Sequence, residues 1–385
     1  RSTLSPSSAA SDVYKRQSLE LAKMYRDGLG TEPDLQQAEW RFQNAYSGFV
    51  VLEEKSHDDK LQYRIGQMLH TGTGTSKDDE GAARYWEKSA KLGNINAQYA
   101  LGTLWLETGS GDSGQAVEWL TKAANAEHSA AQYVLGKLYQ DGVYFNKDMD
   151  QAMKWFRAAA ELGNEYAAYR MGCLLLLGEE IPKDVEAAVK WLSLSAEKGN
   201  PYAQYRLGML YLKGEEYSPQ VEVAMKWLQQ AAEQKNEWAF YQLGKLYLSG
   251  EHVTKNVETA VHYLGLCAEK GNQYAQYVLG KLYLCGRDVS RDREKAVEYL
   301  TASAEQGNLY ASFLLEHLDA YQDPSLFLAA TRLLHHLEKL FCEEVQRPME
   351  MKRYQIDRKR RRKLSEKKQA QGHHRDDQEP AQGIY

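Results

Sequence analysis

Apolar and polar residues follow the period of an α-helix along most of the chain, and the pattern returns about every 36 residues. In one copy, Ala275, Leu279, Leu282 and Tyr283 stand at offsets 0, 4, 7 and 8, which places them on one face of a helix. We call this segment the A helix. It is predicted to end at Gly286, because glycine readily adopts the left-handed conformation that closes many helices.

The repeat register is set by a tetrapeptide that begins with tyrosine and ends with glycine inside the A helix. Its seven copies are spaced by 36, 34, 36, 36, 36 and 36 residues and begin at Tyr63, Tyr99, Tyr133, Tyr169, Tyr205, Tyr241 and Tyr277. A fixed period of this length is the signature of a solenoid, in which each unit buries its apolar face against its neighbours. The sequence therefore predicts an all-α repeat architecture.

A second helix, the B helix, follows in each unit and carries an alanine and then an aromatic residue three positions later. These pairs are Ala116/Trp119, Ala152/Trp155, Ala188/Trp191, Ala224/Trp227, Ala260/Tyr263 and Ala296/Tyr299. The Gly-Asn pair that ends several B helices fits a Schellman-type cap. The glycine inside the A helix costs about 1 kcal/mol relative to alanine. We therefore expect it to allow close approach of a neighbouring helix, often the one that carries the tryptophan.

The consensus AQYxLGxLYxxG followed by DxxxAxxWxxxAAExGN resembles the Sel-one-like repeat (SLR) family, which is related to tetratricopeptide repeats (TPR). The resemblance covers residues 18–321 in about eight copies and a half copy. It implies a right-handed α-solenoid of tandem helix-turn-helix units. The first copy departs from the pattern with Ala22 in the place of the glycine and an insertion around residues 48–59, and the half copy has Glu316 there. Degenerate terminal units are expected to cap the stack.

Three other segments flank the repeats. Residues 1–17 resemble an adaptor-derived leader, so we expect them to be non-native or disordered, and the chain to be a fragment. Residues 322–346 have leucines spaced for one helical face, which predicts a C-terminal capping helix that docks on the last repeat. Residues 347–385 form a basic, polar tail with little to bury, which is typical of disorder.

Composition narrows the class of protein further. The chain is 43% hydrophobic and 11% aromatic, which excludes wholesale disorder. The four cysteines show no CxxC spacing, and a reduced, cytoplasmic state is the plain interpretation. No stretch approaches the roughly 18 apolar residues of a membrane helix, so no membrane partner is expected.

The sequence shows none of the residue groupings that usually carry catalysis. The ten histidines form no metal-binding pair or cluster, and the glycines follow the repeat period rather than a phosphate-binding spacing. No serine-based triad motif is present. We therefore expect a non-catalytic chain without metal or cofactor, and binding of another protein as its role.

Solenoids of the TPR type bind partners on a concave surface lined by A helices, where offsets 3 and 6 should be exposed. Offset 3 holds Arg64, Ala100, Val134, Arg170, Arg206, Gln242 and Val278. Offset 6 holds Gln67, Thr103, Lys137, Cys173, Met209, Lys245 and Lys281. Six of these are basic and none is acidic, which favours an acidic or phosphorylated peptide as ligand. The alternative is a solvated face whose charges pair with nearby carboxylates.

The tail is the second candidate site. It has a net charge of +6, whereas residues 1–346 have a net charge of −11. Its dense basic stretch contains Lys352, Arg353, Arg358, Lys359, Arg360, Arg361, Arg362, Lys363, Lys367 and Lys368. Such a run predicts binding to DNA or another polyanion, and the alternative is a simple solubility tail.

Residues 357–380 also resemble the C-terminal end of MobP-family conjugative relaxases of Firmicutes, some of which carry SLR units. That resemblance implies a DNA-nicking domain upstream, none of whose catalytic residues occurs in this sequence. Two hypotheses remain: a protein-interaction scaffold, or the partner-binding region of a relaxase in plasmid or integrative-element transfer. The sequence does not determine the partner or the oligomeric state.

Overall fold

The computed structural model describes residues 6–109, 112–214 and 220–318. These ranges form seventeen α-helices and contain no β-strand. The chain divides into two compact units, Arg1–Arg170 and Met171–Tyr385, and the boundary falls inside the ninth helix. The predicted capping helix at 322–346 and the tail at 347–385 lie outside the described residues.

Each unit contains a run of helices joined by short turns. The first unit contains α1 Pro6–Asp27, α2 Leu35–Ser56, α3 Asp59–Thr71, α4 Asp79–Lys91, α5 Ile95–Thr108, α6 Ser113–Asn125, α7 Ser129–Asp141 and α8 Met149–Glu161. Helix α9, Glu165–Leu177, spans the boundary. The second unit contains α10 Val185–Glu197, α11 Pro201–Lys213, α12 Val221–Glu233, α13 Glu237–Ser249, α14 Val257–Glu269, α15 Gln273–Cys285, α16 Arg293–Glu305 and α17 Leu309–Glu316.

Odd-numbered helices are the A helices of the repeats and even-numbered helices are the B helices. Within each unit an A helix packs on the B helix that follows it, and that B helix packs on the next A helix. Apolar side chains are thus shared between successive repeats, as the 36-residue period requires. The prediction of an all-α repeat solenoid is confirmed, and its handedness stays a prediction.

The glycine inside the A helices α3 to α15 makes room for a B helix. A Cβ atom added to Gly244 would lie 2.6 Å from Cγ of Leu264, and the same distance is 2.7 Å between Gly280 and Leu300. Both leucines are completely buried. The expected close approach is confirmed, but the side chain that fills the space comes one residue after the aromatic position. Trp227, for example, is half-buried, while the adjacent Leu228 is fully buried against Gly208.

Each repeat is closed by caps that link it to the next one. The backbone N–H groups of Gly163 and Asn164 donate to the carbonyls of Ala160 and Ala159, which is the predicted Schellman pattern. The asparagine then caps the following A helix, because its Oδ1 accepts from the backbone N–H of Ala167 at 3.0 Å. One residue therefore ends one repeat and begins the next.

Two repeats depart from this cap. His128 replaces the asparagine before α7, its Nδ1 accepts from the N–H of Ala131, and burial lowers the pKa of its imidazole. Glu127 and Lys235 replace the glycine and adopt φ of 60°. A side chain is strained in this left-handed region, so these two ends are locally less favourable than those closed by glycine.

The first repeat differs from the others in length. Helix α2 has 22 residues, whereas the B helices α4, α6 and α8 have 13 each, and the extra residues correspond to the insertion found in the sequence. Helix α1 begins at Pro6 and so runs through most of the segment expected to be a non-native or disordered leader. That segment is helical from residue 6, and its origin stays a prediction. At the other end, α17 stops at Glu316.

Candidate partner-binding face of the A helices

The residues of the two A-helix columns, at offsets 3 and 6, differ in their exposure. Of the six basic candidates, Lys137 is exposed, whereas Arg64, Arg170, Arg206, Lys245 and Lys281 are half-buried. Cys173, in the same column as the lysines, is buried. Most of these positions are therefore only partly exposed. Tyrosine rings on successive A helices also contact one another.

The three lysines share one geometry. Each ammonium lies over the ring of the tyrosine four residues earlier on its own helix. The Nζ-to-centroid distances are 5.9 Å for Lys137 and Tyr133, 5.6 Å for Lys245 and Tyr241, and 6.0 Å for Lys281 and Tyr277. A cation at this distance is attracted to the ring face. Each charge is thus held in a defined place on the helix surface.

The arginines of the same columns are more involved in packing. The Cζ atom of Arg64 lies 5.3 Å from the ring centroid of Phe49. In the first unit, Nε of Arg170 on α9 donates to Oε1 of Gln140 on α7 at 3.1 Å. Because these guanidinium groups contact neighbouring elements, they help to hold the repeats together as well as adding positive charge to the face.

Most tyrosines of the repeat motif are half-buried beside these cations, and Tyr277 is buried. Burial raises the pKa of the Tyr63, Tyr99 and Tyr205 hydroxyls above its ordinary value. Rings on successive A helices meet within each unit: Tyr133 and Tyr166 have centroids 6.4 Å apart in the first unit. The sequence indicated only a core role for the aromatic columns, and this ring contact between A helices was not predicted.

A column of buried glutamines was also missed by sequence reasoning. Gln98, Gln132, Gln204 and Gln276 each donate from Nε2 to the carbonyl of an alanine in the preceding B helix, at 3.0–3.3 Å. They occupy offset 1, where a polar residue in an otherwise apolar stripe was the available signal. Each of these carbonyls also accepts from a backbone N–H of the turn that ends the B helix, so the glutamine adds a second bond there and gives its own buried amide a partner.

The remaining candidate chemistry is sparse in the part of the chain that the structure describes. There, no group of three or more His, Cys, Asp or Glu side chains is arranged to hold a metal ion. Cys173, Cys267 and Cys285 are free thiols, and burial raises the pKa of the Cys267 thiol to about 12. The basic candidates from Lys352 to Lys368 lie outside the described residues. Among the helices that the structure describes, none is both long enough and apolar enough to span a membrane.

Two solved structures resemble most of this chain. A protective antigen of uropathogenic Escherichia coli with an SLR fold is 29% identical, with a TM-score of 0.62 over 77% of this chain and 62% of that one. A Sel1 repeat protein from Oxalobacter formigenes is 32% identical, with a TM-score of 0.55 over 70% of this chain and 76% of that one. Both likenesses agree with the observed repeat fold.

Sequence relatives match over shorter stretches. Chitin synthase regulatory factor 1 of Schizosaccharomyces pombe is 31% identical over 135 residues, which are 34% of this chain and 28% of that protein. A putative sel1-like repeat-containing protein of Acanthamoeba polyphaga mimivirus is 29% identical over 130 residues, 34% of this chain and 22% of that protein. The chain therefore spans about a quarter of the length of these relatives.

The Sel1 repeat model matches eight segments of the chain: 19–40, 60–94, 95–128, 129–164, 165–200, 201–236, 239–272 and 273–308. These segments follow the helix pairs of the structure and make up most of the sequence. The match ends before the tail, so the relaxase resemblance rests on the tail residues alone. By its repeats, the chain belongs to the Sel1 repeat family.

Proposed function

We propose that this protein is a non-catalytic scaffold that binds an acidic protein segment on the face of its A helices that carries these basic residues. The observation that carries the proposal is the lysine geometry: Lys137, Lys245 and Lys281 are each held over a tyrosine ring of the same helix. The A-helix columns contain basic residues and no acidic ones. Such a surface attracts carboxylates or phosphates, and the aromatic rings supply apolar contact area. We also propose a cytoplasmic location, on the basis of the free thiols.

Charge reversal on the A helices tests this function. A library of random twelve-residue peptides is selected on the full chain, and we expect the enriched peptides to be acidic. Lys245→Glu with Lys281→Glu, both in the second unit, should weaken the binding of these peptides at least tenfold, since the local attraction becomes repulsion. The change in affinity is measured by fluorescence anisotropy, and circular dichroism checks that helicity is retained.

The matched control places the same change of charge on B helices. Lys190 on α10 and Lys226 on α12 are exposed, and both are changed to Glu. Because the net charge of the two double variants is equal, a long-range effect would weaken both alike. Equal losses in the two variants, or enrichment of peptides without acidic residues, would contradict the A-helix site.

The tail supports a second candidate function, binding of DNA as the accessory region of a relaxase. The specific observation is the basic stretch from Lys352 to Lys368, on a chain whose remaining residues are acidic overall. Binding through phosphates releases counterions, so four to six contacts should weaken affinity by roughly two to three decades between 50 and 200 mM salt. Truncation before Lys352 should abolish binding to a DNA duplex. Unchanged binding after truncation, or none in either form, rejects this function.

A further inference from the structure

One junction between repeats is capped by an ionisable residue. Six A helices, α5, α9, α11, α13, α15 and α17, begin after an asparagine cap: Asn94, Asn164, Asn200, Asn236, Asn272 and Asn308. Helix α7 begins after His128, whose imidazole Nδ1 accepts from the backbone N–H of Ala131 at 3.2 Å. An asparagine amide keeps one protonation state at all ordinary pH values, whereas an imidazole titrates near neutrality.

The cap defines the protonation state of the His128 ring. A backbone N–H can only donate, so Nδ1 must offer its lone pair, and the single ring proton lies on Nε2. The imidazole is therefore neutral. After protonation Nδ1 would carry a hydrogen of its own, and it would face the N–H of Ala131, another donor, at 3.2 Å. A positive ring at this place is also repelled by the partial positive charge of the helix N-terminus.

The charged groups around His128 do not offset this cost. Among the described residues, Tyr99 of α5 is the only ionisable side chain that forms a ring contact, hydrogen bond or ion pair with the imidazole. On α6, Lys122 lies 4.3 Å from the ring centroid of Trp119 and pairs with Glu118. Glu127, in the turn, is exposed, and the first turn of α7 has no acidic residue. Burial therefore has the largest effect on the imidazole, and it lowers its pKa below the ordinary value of 6.5.

The same junction departs from the others in two further ways. Glu127 stands where most repeats have glycine, and its φ of 60° is strained for a residue with a side chain. Asparagine caps elsewhere also bond to the previous A helix, as Nδ2 of Asn164 does to the carbonyl of Ser129 at 3.4 Å. His128 has no such bond, and its ring stacks on Tyr99 instead, with centroids 4.7 Å apart. A cationic ring would still be attracted to Tyr99, so protonation mainly affects the cap.

We propose that His128 makes the junction between α6 and α7 a pH-sensitive joint, in which protonation of the imidazole removes the cap and opens the first turn of α7. The asparagine-capped junctions have no such group and stay closed. Since the closed junction binds a proton less readily than the open one, its stability is complete well above pH 6.5 and is lost as the pH falls below that value. This inference is independent of the proposed ligand, because it concerns the repeat stack alone.

Hydrogen exchange of the full chain at pH 7.5 and pH 5.0, followed by mass spectrometry, tests the joint. Each measured rate is compared with the intrinsic rate at the same pH, so that only the protection of the amide is compared. We expect protection of residues 131–134 to fall about fivefold at pH 5.0, the size expected for the loss of one helix cap. Protection in the first turns of α11 and α13, after Asn200 and Asn236, should change less than twofold.

Two variants assign the effect to His128. His128→Asn restores the residue that caps six other A helices, so it should keep the fold and remove the pH dependence in α7. His262→Asn is the matched control, because His262 is exposed on α14 and caps no helix. This control should leave the fivefold fall unchanged.

A titration followed by NMR gives a second readout. The imidazole resonance that disappears in His128→Asn should titrate with a midpoint below pH 6.5. Equal protection of α7 at the two pH values, or a fall that persists in His128→Asn, overturns the joint. A midpoint above pH 6.5 also overturns it, because protonation would then favour the closed junction.

Discussion

Leu264→Ala is expected to lower the free energy of unfolding of the second unit by about 3 to 5 kcal/mol. Leu264 is fully buried, and its Cγ occupies the space beside Gly244 on the preceding A helix. Truncation removes buried methyl groups and leaves a cavity, because the helices on either side are held by caps and by the next repeat. Hydrogen exchange in α13 and α14, together with urea denaturation, measures the loss.

Gly244→Ala tests the same contact from the opposite side. The new methyl would lie 2.6 Å from Cγ of Leu264, so the leucine side chain or one of the helices must shift. Overpacking of about 1–3 kcal/mol should exceed the roughly 1 kcal/mol that alanine gains in helix propensity, so this variant is destabilised. In the Leu264→Ala background the methyl has room, and the same substitution should become stabilising.

Gly265→Ala is the matched control on the adjacent helix. Nothing lies within 4 Å of a Cβ atom built at Gly265, so only the gain in helix propensity of about 1 kcal/mol should remain. Identical substitutions 21 positions apart in the sequence are thus predicted to have opposite signs. Destabilisation by Gly244→Ala that persists without the Leu264 side chain would show that another contact, such as the Ala260 carbonyl, requires the glycine.

The repeat fold was predictable from the sequence because it depends on local signals that recur. Three signals recur: the internal glycine, the helix-ending glycines and the periodic apolar stripe. Each has one physical explanation, and its recurrence in seven copies removes the ambiguity that a single copy would leave. The side chain that contacts the internal glycine was harder to predict. Trp227 and Leu228 are adjacent and both apolar, and only the relative rotation of the two helices decides that Leu228 meets Gly208.

The candidate site was predictable only in part, since it depends on contacts between repeats. Offsets on one helix indicate which residues face away from its own core, but not what the next A helix covers. Arg170 was expected to be exposed, yet it reaches Gln140 on the neighbouring A helix. Similarly, nothing in a single repeat shows that the rings of Tyr241 and Tyr274, on successive A helices, meet.

The double role of the capping asparagine leads to the last prediction. Asn236 is buried, its Oδ1 accepts from the N–H of Ala239 at 3.0 Å, and its Nδ2 donates to the carbonyl of Pro201 in the previous A helix at 3.4 Å. Asn236→Ala removes the cap and leaves both backbone groups without this partner in a site with little access to water. We expect a loss of about 2–3 kcal/mol in the free energy of unfolding.

Asp184→Ala tests the loss of a helix cap by itself, for comparison with Asn236→Ala, which removes both a cap and a bond between repeats. Asp184 caps α10 by accepting from the N–H of Ala187 at 2.9 Å, but it is exposed, so water can replace its carboxylate. This variant should lose only about 1 kcal/mol. Hydrogen exchange should also differ: Asn236→Ala should raise exchange in α11 as well as α13, whereas the effect of Asp184→Ala should stay within the first turn of α10. Equal losses from the two variants would mean that the Asn236 bond to Pro201 adds nothing to the coupling between repeats.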